Sequence, residues 1–144
     1  MACDIRLAAD SARIGFVEAA RGLFQTNGVT WLLPRIVGLS KALELLVTAE
    51  VVHAEEAARI GLVSRVSSPG SFTADVAAFA GRIAANAPLS VTQAVGIVRR
   101  TFDQTLEEAM ALEVDATARC MASSDIREGT AAFHEGRDPV YEGA

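Results

Sequence analysis

The pattern of apolar residues changes at Ser67-Ser68-Pro69-Gly70-Ser71, which is the best candidate for a domain boundary. Before this segment, short strand-like runs alternate with short helical patterns. After it, apolar residues recur only at helical spacing. We therefore predict an α/β protein in which residues 1–66 carry the strands and residues 67–144 form a helical region. A chain of 144 residues can bury a substantial hydrophobic core.

The strand-bearing region begins with two short extended runs. Residues 5–8 alternate in polarity, residues 10–12 read as a turn, and Arg13 to Val17 follow as a second strand. A short helix is expected from about Val29, with a disturbance at Pro34.

Further helices follow in both regions. Leu39, Ala42, Leu43 and Leu46 share helical spacing, which predicts a helix over residues 40–48 with Ser40 as its N-cap. In the helical region, Thr105 and Glu108 form a capping-box pattern that predicts the start of a long helix. The remaining predictions are a short helix over residues 54–58, a strand over residues 62–66, two helices between residues 72 and 102, and a last helix from Asp125 to about Glu135.

Composition excludes several classes of function. The net charge is −5 and Lys41 is the single lysine, so the chain lacks the clustered cations that bind nucleic acid. No apolar run approaches the roughly 18 residues of a membrane span. Cys3 and Cys120 occur in no metal-ligand spacing, and no phosphate loop, nucleophile elbow or dinucleotide fingerprint is present. We therefore expect a cytoplasmic protein with no metal and no separate cofactor.

One acidic residue stands apart from the other charges. Glu18 lies between the apolar run 14–17 and a glycine-punctuated loop where a ligand could approach the backbone. Apolar surroundings disfavour the charged form of a carboxylic acid, which keeps it available for proton transfer near neutral pH. The alternative is that Glu18 faces water at the end of a strand, as most glutamates do.

Several ordered blocks of this sequence resemble the crotonase family of enoyl-CoA hydratases and isomerases. The likeness covers nearly the whole chain, and the order and separation of the blocks carry it more than any single block does. The blocks are residues 2–8, Ile14-Gly15-Phe16-Val17-Glu18, Gly22-Leu23-Phe24, Leu33-Pro34-Arg35-Ile36-Val37-Gly38, residues 42–46, residues 54–57, Gly61-Leu62-Val63, and Arg127-Glu128-Gly129-Thr130-Ala131-Ala132-Phe133.

This resemblance implies a spiral of β-β-α units followed by a helical trimerisation region. It implies an acyl-CoA thioester as substrate, an enolate held by two backbone N–H groups, and an assembly of homotrimers or hexamers. Glu18 matches the second of two catalytic glutamates, which acts on the α-carbon in the hydratases and can transfer the proton alone in the isomerases. The residues that the resemblance suggests as acyl-pocket walls are Phe16, Leu23, Phe24, Thr26 and Trp31.

The resemblance covers only the carboxy-terminal half of the family. It assigns the two oxyanion-hole donors and the first glutamate to a part that would precede Met1. We therefore expect this chain alone to be an impaired enoyl-CoA hydratase or isomerase. The alternative is a non-catalytic trimerising module with an incomplete acyl-CoA site.

The sequence also departs from the family pattern inside the matched part. Val17 replaces a common proline, and Gln25-Thr26-Asn27-Gly28 replaces a Pro-Gly-x-Gly-Gly loop, so the acyl-pocket wall is expected to differ. Gly136 stands where the family often has a lysine, with Arg137 as the nearer cation. A CoA-phosphate contact is therefore not carried over to that region.

Overall fold

A computed structural model describes residues 1–144, which divide into two compact units, residues 1–76 and residues 77–144. None of its helices combines the length and the apolar character that a membrane span requires. The elements are β1 (Leu7–Ala9), β2 (Arg13–Gly15), a 3-10 turn (Ala19–Arg21), α1 (Val29–Val37), α2 (Leu39–Thr48), β3 (Val51–His53), α3 (Ala54–Arg59), β4 (Arg65–Ser67), α4 (Phe72–Ala84), α5 (Pro88–Val98), a second 3-10 turn (Thr101–Asp103), α6 (Leu106–Ala122) and α7 (Asp125–Glu135).

The four strands form two separate pairs in the first unit. β1 runs parallel to β4, with Leu7 opposite Arg65, and β2 runs antiparallel to β3, with Gly15 opposite Val51. A parallel pair needs a long crossover, and here residues 10–64 supply it with three helices and the second strand pair. The mixed α/β character predicted for this region is confirmed.

The core of the first unit lies between the strand pairs and the crossover helices. Leu33 of α1, Leu45 of α2 and Leu62 after α3 have fully buried side chains. Phe16, which directly follows β2, and Val52 of β3 belong to the same cluster. Burial of these apolar side chains is the main source of stability for the unit.

The buried face of α2 differs from the predicted one. Ala42 and Leu45 are buried, whereas Leu39 and Leu43 are exposed. Leucines occur on several sides of this helix, so the apolar period alone does not identify the inner face. Ala42 is buried and Leu46 packs against the core as predicted, whereas Leu45 lies on the inner face in place of Leu39 and Leu43.

The start of α2 also differs from the prediction. Gly38 ends α1 and serves as the N-cap of α2 with φ of 82°, so Ser40 lies inside the helix and no side chain caps it. Pro34 lies within α1, and the N–H of Gly38 donates to the carbonyl oxygen of Pro34 at 3.0 Å. The helix therefore continues past the proline.

The second unit consists of helices and an irregular tail. The predicted capping box is confirmed, since the N–H of Glu108 donates to Thr105 Oγ1 at 3.2 Å and the N–H of Thr105 donates to Glu108 Oε2 at 2.8 Å. The buried Asp125 carboxylate accepts hydrogen bonds from the N–H groups of Glu142 and Gly143. These bonds fix the tail against the start of α7.

One side of α6 is apolar and exposed on this chain. Three apolar residues follow one another at intervals of four, and a fourth comes seven residues later, so all four lie close to one face of the helix. They are Leu106, Met110, Val114 and Met121.

Candidate active site

Glu18 occupies a loop that folds back on it. Its carbonyl oxygen accepts hydrogen bonds from the N–H of Arg21 at 2.9 Å and from the N–H of Leu23 at 3.0 Å. Gly22 has φ of 68°, a left-handed conformation that glycine adopts without strain. Glu18 is therefore held at the start of a tight turn that follows β2.

The side chain of Glu18 is only partly accessible. Its Oε2 atom is buried and has no hydrogen-bond partner within the protein. Buried polar atoms are almost always hydrogen-bonded, so an unpaired carboxylate oxygen is unusual; strain, a catalytic role or a bound water or ion can account for it. This arrangement differs from the alternative of a glutamate that simply faces water at a strand end.

Gly15 allows β2 to lie close to β3 a few residues before Glu18. A Cβ atom at this position would lie 2.8 Å from Val51 Cγ2 and 3.3 Å from Val17 Cγ1. Only glycine therefore fits against β3 without moving its neighbours. Phe16, the next residue, is buried in the core and anchors the start of the loop.

The five residues expected to line an acyl pocket lie in different surroundings. Phe16 is buried, whereas Leu23, Phe24 and Thr26 are exposed, with Phe24 at 77%. Trp31 is 48% exposed. Glu18 and Leu23 are joined through the backbone, and the structure gives no contact that gathers all five side chains around Glu18.

Trp31 is covered on one face by a cation. The guanidinium carbon of Arg35 lies 3.6 Å from the centre of the indole ring, and Arg35 Nη1 donates to the carbonyl oxygen of Trp31 at 3.0 Å. The two residues occupy successive turns of α1, where side chains at this spacing meet. The indole is therefore held in place although nearly half of it is accessible.

Gln25 is a candidate that sequence reasoning did not identify as a site residue. It is only 9% exposed between the exposed residues Phe24 and Thr26, and its Nε2 atom is buried without a hydrogen-bond partner. The departure from the family loop was the available signal. Burial of the amide cannot be deduced from the spacing of one glutamine.

Both units contain cavities. The first unit has a cavity of about 500 Å³ beside β1 and β2, and Phe16 is the one expected wall residue that lines it. The second unit has a cavity of about 450 Å³ lined by residues that include Cys120, Asp125 and Tyr141. No group of three or more His, Cys, Asp or Glu side chains is arranged to hold a metal ion.

The chain matches a protein family and individual proteins of known name. A family model described as enoyl-CoA hydratase/isomerase matches residues 1–144. The chain is 39% identical over 137 residues to the crotonyl-CoA hydratase of Syntrophomonas wolfei, covering 95% of this chain and 53% of that protein. It is 35% identical over 133 residues to a short-chain-enoyl-CoA hydratase of Clostridioides difficile, covering 92% of this chain and 86% of that protein.

A solved structure agrees with these matches. The crystal structure of an enoyl-CoA hydratase from Bacillus anthracis superposes with a TM-score of 0.94 at 32% sequence identity, covering 99% of this chain and 55% of that one. The chain therefore spans about half the length of the Syntrophomonas wolfei and Bacillus anthracis proteins.

Proposed function

The chain belongs to the enoyl-CoA hydratase/isomerase family, and we propose that it acts on an acyl-CoA thioester with Glu18 as the proton donor or acceptor at the α-carbon. This role serves both hydration of a 2,3 double bond and movement of that bond, so the proposal includes both reactions. Coenzyme A would enter as part of the substrate, with no other cofactor and no metal. The expected location is the cytoplasm.

The observation that carries the proposal is the buried, unpaired Oε2 atom of Glu18. A general acid or base must lie within hydrogen-bond reach of the proton that it transfers, and an oxygen without a protein partner can make such a contact. Two backbone hydrogen bonds hold the main chain of Glu18, while its Oε2 atom has no protein partner. Phe16, Leu23, Phe24, Thr26 and Trp31 remain the proposed acyl-pocket walls.

The proposal includes a limit on the activity of residues 1–144. Stabilisation of an enolate by oriented N–H groups often contributes several kcal/mol to lowering the barrier. The resemblance assigns those donors to the part of the family that this chain does not match. We therefore expect hydration by this polypeptide to be slow compared with that of relatives twice its length.

The experiment is hydration of crotonyl-CoA by the purified protein, followed through the loss of thioester absorbance. Glu18→Gln is expected to lower the rate by about 100-fold or more, the scale of general acid–base catalysis. The matched control is Glu55→Gln, which changes an exposed carboxylate on α3. A Glu18→Gln protein as active as the parent would refute the role of Glu18.

A second candidate function is that of a non-catalytic trimerising module. The exposed apolar face of α6 supports it, because water-facing Leu106, Met110 and Val114 would be covered in an assembly of three or six copies. Light scattering distinguishes the two candidates, since a trimer has three times the 15.1 kDa mass of the chain. A stable trimer with background hydration favours the module, whereas hydration that depends on Glu18 favours the enzyme.

A further inference from the structure

We propose that Gln25 is a positioning residue that holds one hydroxyl-type oxygen, that of water or of a hydroxyacyl chain, against Glu18. This inference rests on the proposed function of Glu18 and extends it to a second residue. Neither the family resemblance nor the comparisons assign a role to position 25, where the resemblance leads one to expect proline.

The main observation is that one short loop carries a hydrogen-bond donor and a hydrogen-bond acceptor that both lack a partner. Three buried side-chain polar atoms of the chain lack a hydrogen-bond partner, namely Glu18 Oε2, Gln25 Nε2 and Gln104 Oε1. Two of these three belong to residues 18–25. Each has been removed from water without a protein partner, which is unfavourable unless another group binds there.

The loop turns back to Glu18 shortly before it reaches Gln25. The N–H of Leu23 donates to the carbonyl oxygen of Glu18 at 3.0 Å, so the chain has already returned to Glu18 two residues before Gln25. Phe24 and Thr26 are exposed on either side of Gln25. The amide is therefore the one side chain in this part of the loop that is turned into the protein.

Gln25 Nε2 and Glu18 Oε2 have opposite hydrogen-bonding roles, and this difference determines which chemical group can bind both. Gln25 Nε2 can only donate a hydrogen bond, and an ionised Glu18 can only accept one. A hydroxyl oxygen does both, since its lone pair accepts from Nε2 while its O–H donates to Oε2. A carbonyl oxygen or an anion would satisfy Gln25 alone, and an alkyl chain would satisfy neither.

This placement matches the oxygen that takes part in hydration. During hydration of a 2-enoyl thioester, a bond forms between the water oxygen and C3, the C2–C3 π bond and one O–H bond break, and C2 gains one proton. The oxygen bound before the reaction becomes the 3-hydroxyl oxygen of the product. One site formed by Gln25 and Glu18 can therefore serve substrate water and product hydroxyl in turn.

The test combines two crystal structures of the protein, one alone and one soaked with 3-hydroxybutyryl-CoA. We expect one oxygen within about 3.2 Å of both Gln25 Nε2 and Glu18 Oε2. If the hydroxyl of the soaked compound occupies this position, the ligand is the acyl chain; if an ordered water occupies it in both crystals, the ligand is water. Either result supports the site. The proposal is overturned if no oxygen lies there, or if the two side chains bond to each other or to other protein groups.

Variants provide a second, functional readout. Gln25→Leu removes the donor at similar size and is expected to remove the bridging oxygen and to lower kcat for crotonyl-CoA hydration about 10-fold without changing KM. Gln25→His keeps an N–H donor and is expected to restore part of kcat. If kcat and KM both change in Gln25→Leu, or if neither changes, the positioning role is contradicted.

The outcomes separate this inference from the proposed function. A bridging oxygen in a protein whose Glu18→Gln variant retains full activity would leave the binding site intact and refute the catalytic role of Glu18. Loss of activity in Glu18→Gln with no bridging oxygen would support Glu18 and refute Gln25.

Discussion

Arg137 binds both carboxylate oxygens of Glu128, with Nη1 2.6 Å from Oε1 and Nη2 3.0 Å from Oε2. The same carboxylate accepts the N–H of Val140 at 2.8 Å, so it ties α7 to the tail through two partners. These hydrogen bonds favour the ionised form and lower the pKa of Glu128 from 4.5 to about 2, with the Arg137 bond as the largest cause.

This ion pair predicts a specific acid dependence of stability. Because the folded pKa of Glu128 lies below the unfolded value, the stabilisation is complete above about pH 4.5 and is lost as the pH falls towards 2. Glu128→Gln should therefore lower the Tm at pH 7 and change it less at pH 2. Melting curves from pH 2 to 7 measure this, with the exposed Glu113→Gln as control. If Glu128→Gln changed the Tm equally at pH 2 and at pH 7, the acid dependence would not come from the ion pair of Glu128 with Arg137.

Trp31 provides an optical test of the region beside the Glu18 loop, since it is the only tryptophan. Arg35→Ala removes the guanidinium stacked on the indole, so we expect the emission to shift to longer wavelength and stability to fall by about 0.5–1 kcal/mol. Arg35→Lys should be intermediate, because it keeps the charge but loses the planar contact. Unchanged emission in Arg35→Ala would show that the contact does not persist in solution.

Two leucines of α2 allow a paired test of the core. Leu45 is fully buried and Leu43 is 52% exposed. Leu45→Ala should lower the free energy of unfolding by about 2–5 kcal/mol because it leaves a cavity. Leu43→Ala should cost less than about 1 kcal/mol. Urea denaturation measures both, and equal costs would place the inner face of α2 elsewhere.

The capping box at the start of α6 gives a local prediction. Thr105→Ala removes the acceptor for the N–H of Glu108 and should cost about 1 kcal/mol. Thr105→Ser keeps the hydroxyl and should retain most of the stability. Urea denaturation followed by circular dichroism compares the two variants, and similar losses in both would contradict capping by the hydroxyl.

These examples show which parts of the fold can be predicted from sequence. The Thr105 and Glu108 pattern acts within one turn, so local spacing was sufficient to place the helix start. Ser40 failed as an N-cap because Gly38 already connects α1 and α2 with φ of 82°, a conformation that the pattern does not encode. The inner face of α2 also depended on neighbours distant in sequence.

The candidate site could also be predicted only in part from the sequence. Glu18 could be selected because it is a lone acid beside an apolar run and glycines, and the family blocks added its proposed role. Gln25 could not be selected, because its importance depends on the burial of one amide nitrogen in the folded loop. The boundary of the two regions at residues 66 and 67 remains a prediction.

The pairing of β1 with β4 has a consequence for the order of folding. Leu7 lies opposite Arg65, so β1 can pair with β4 only after the whole crossover over residues 10–64 has been synthesised. Contacts between distant segments form slowly because a long loop must close first. During synthesis, β1 is therefore expected to remain without β4 until this crossover is complete, which makes that interval vulnerable to misassociation and to capture by chaperones.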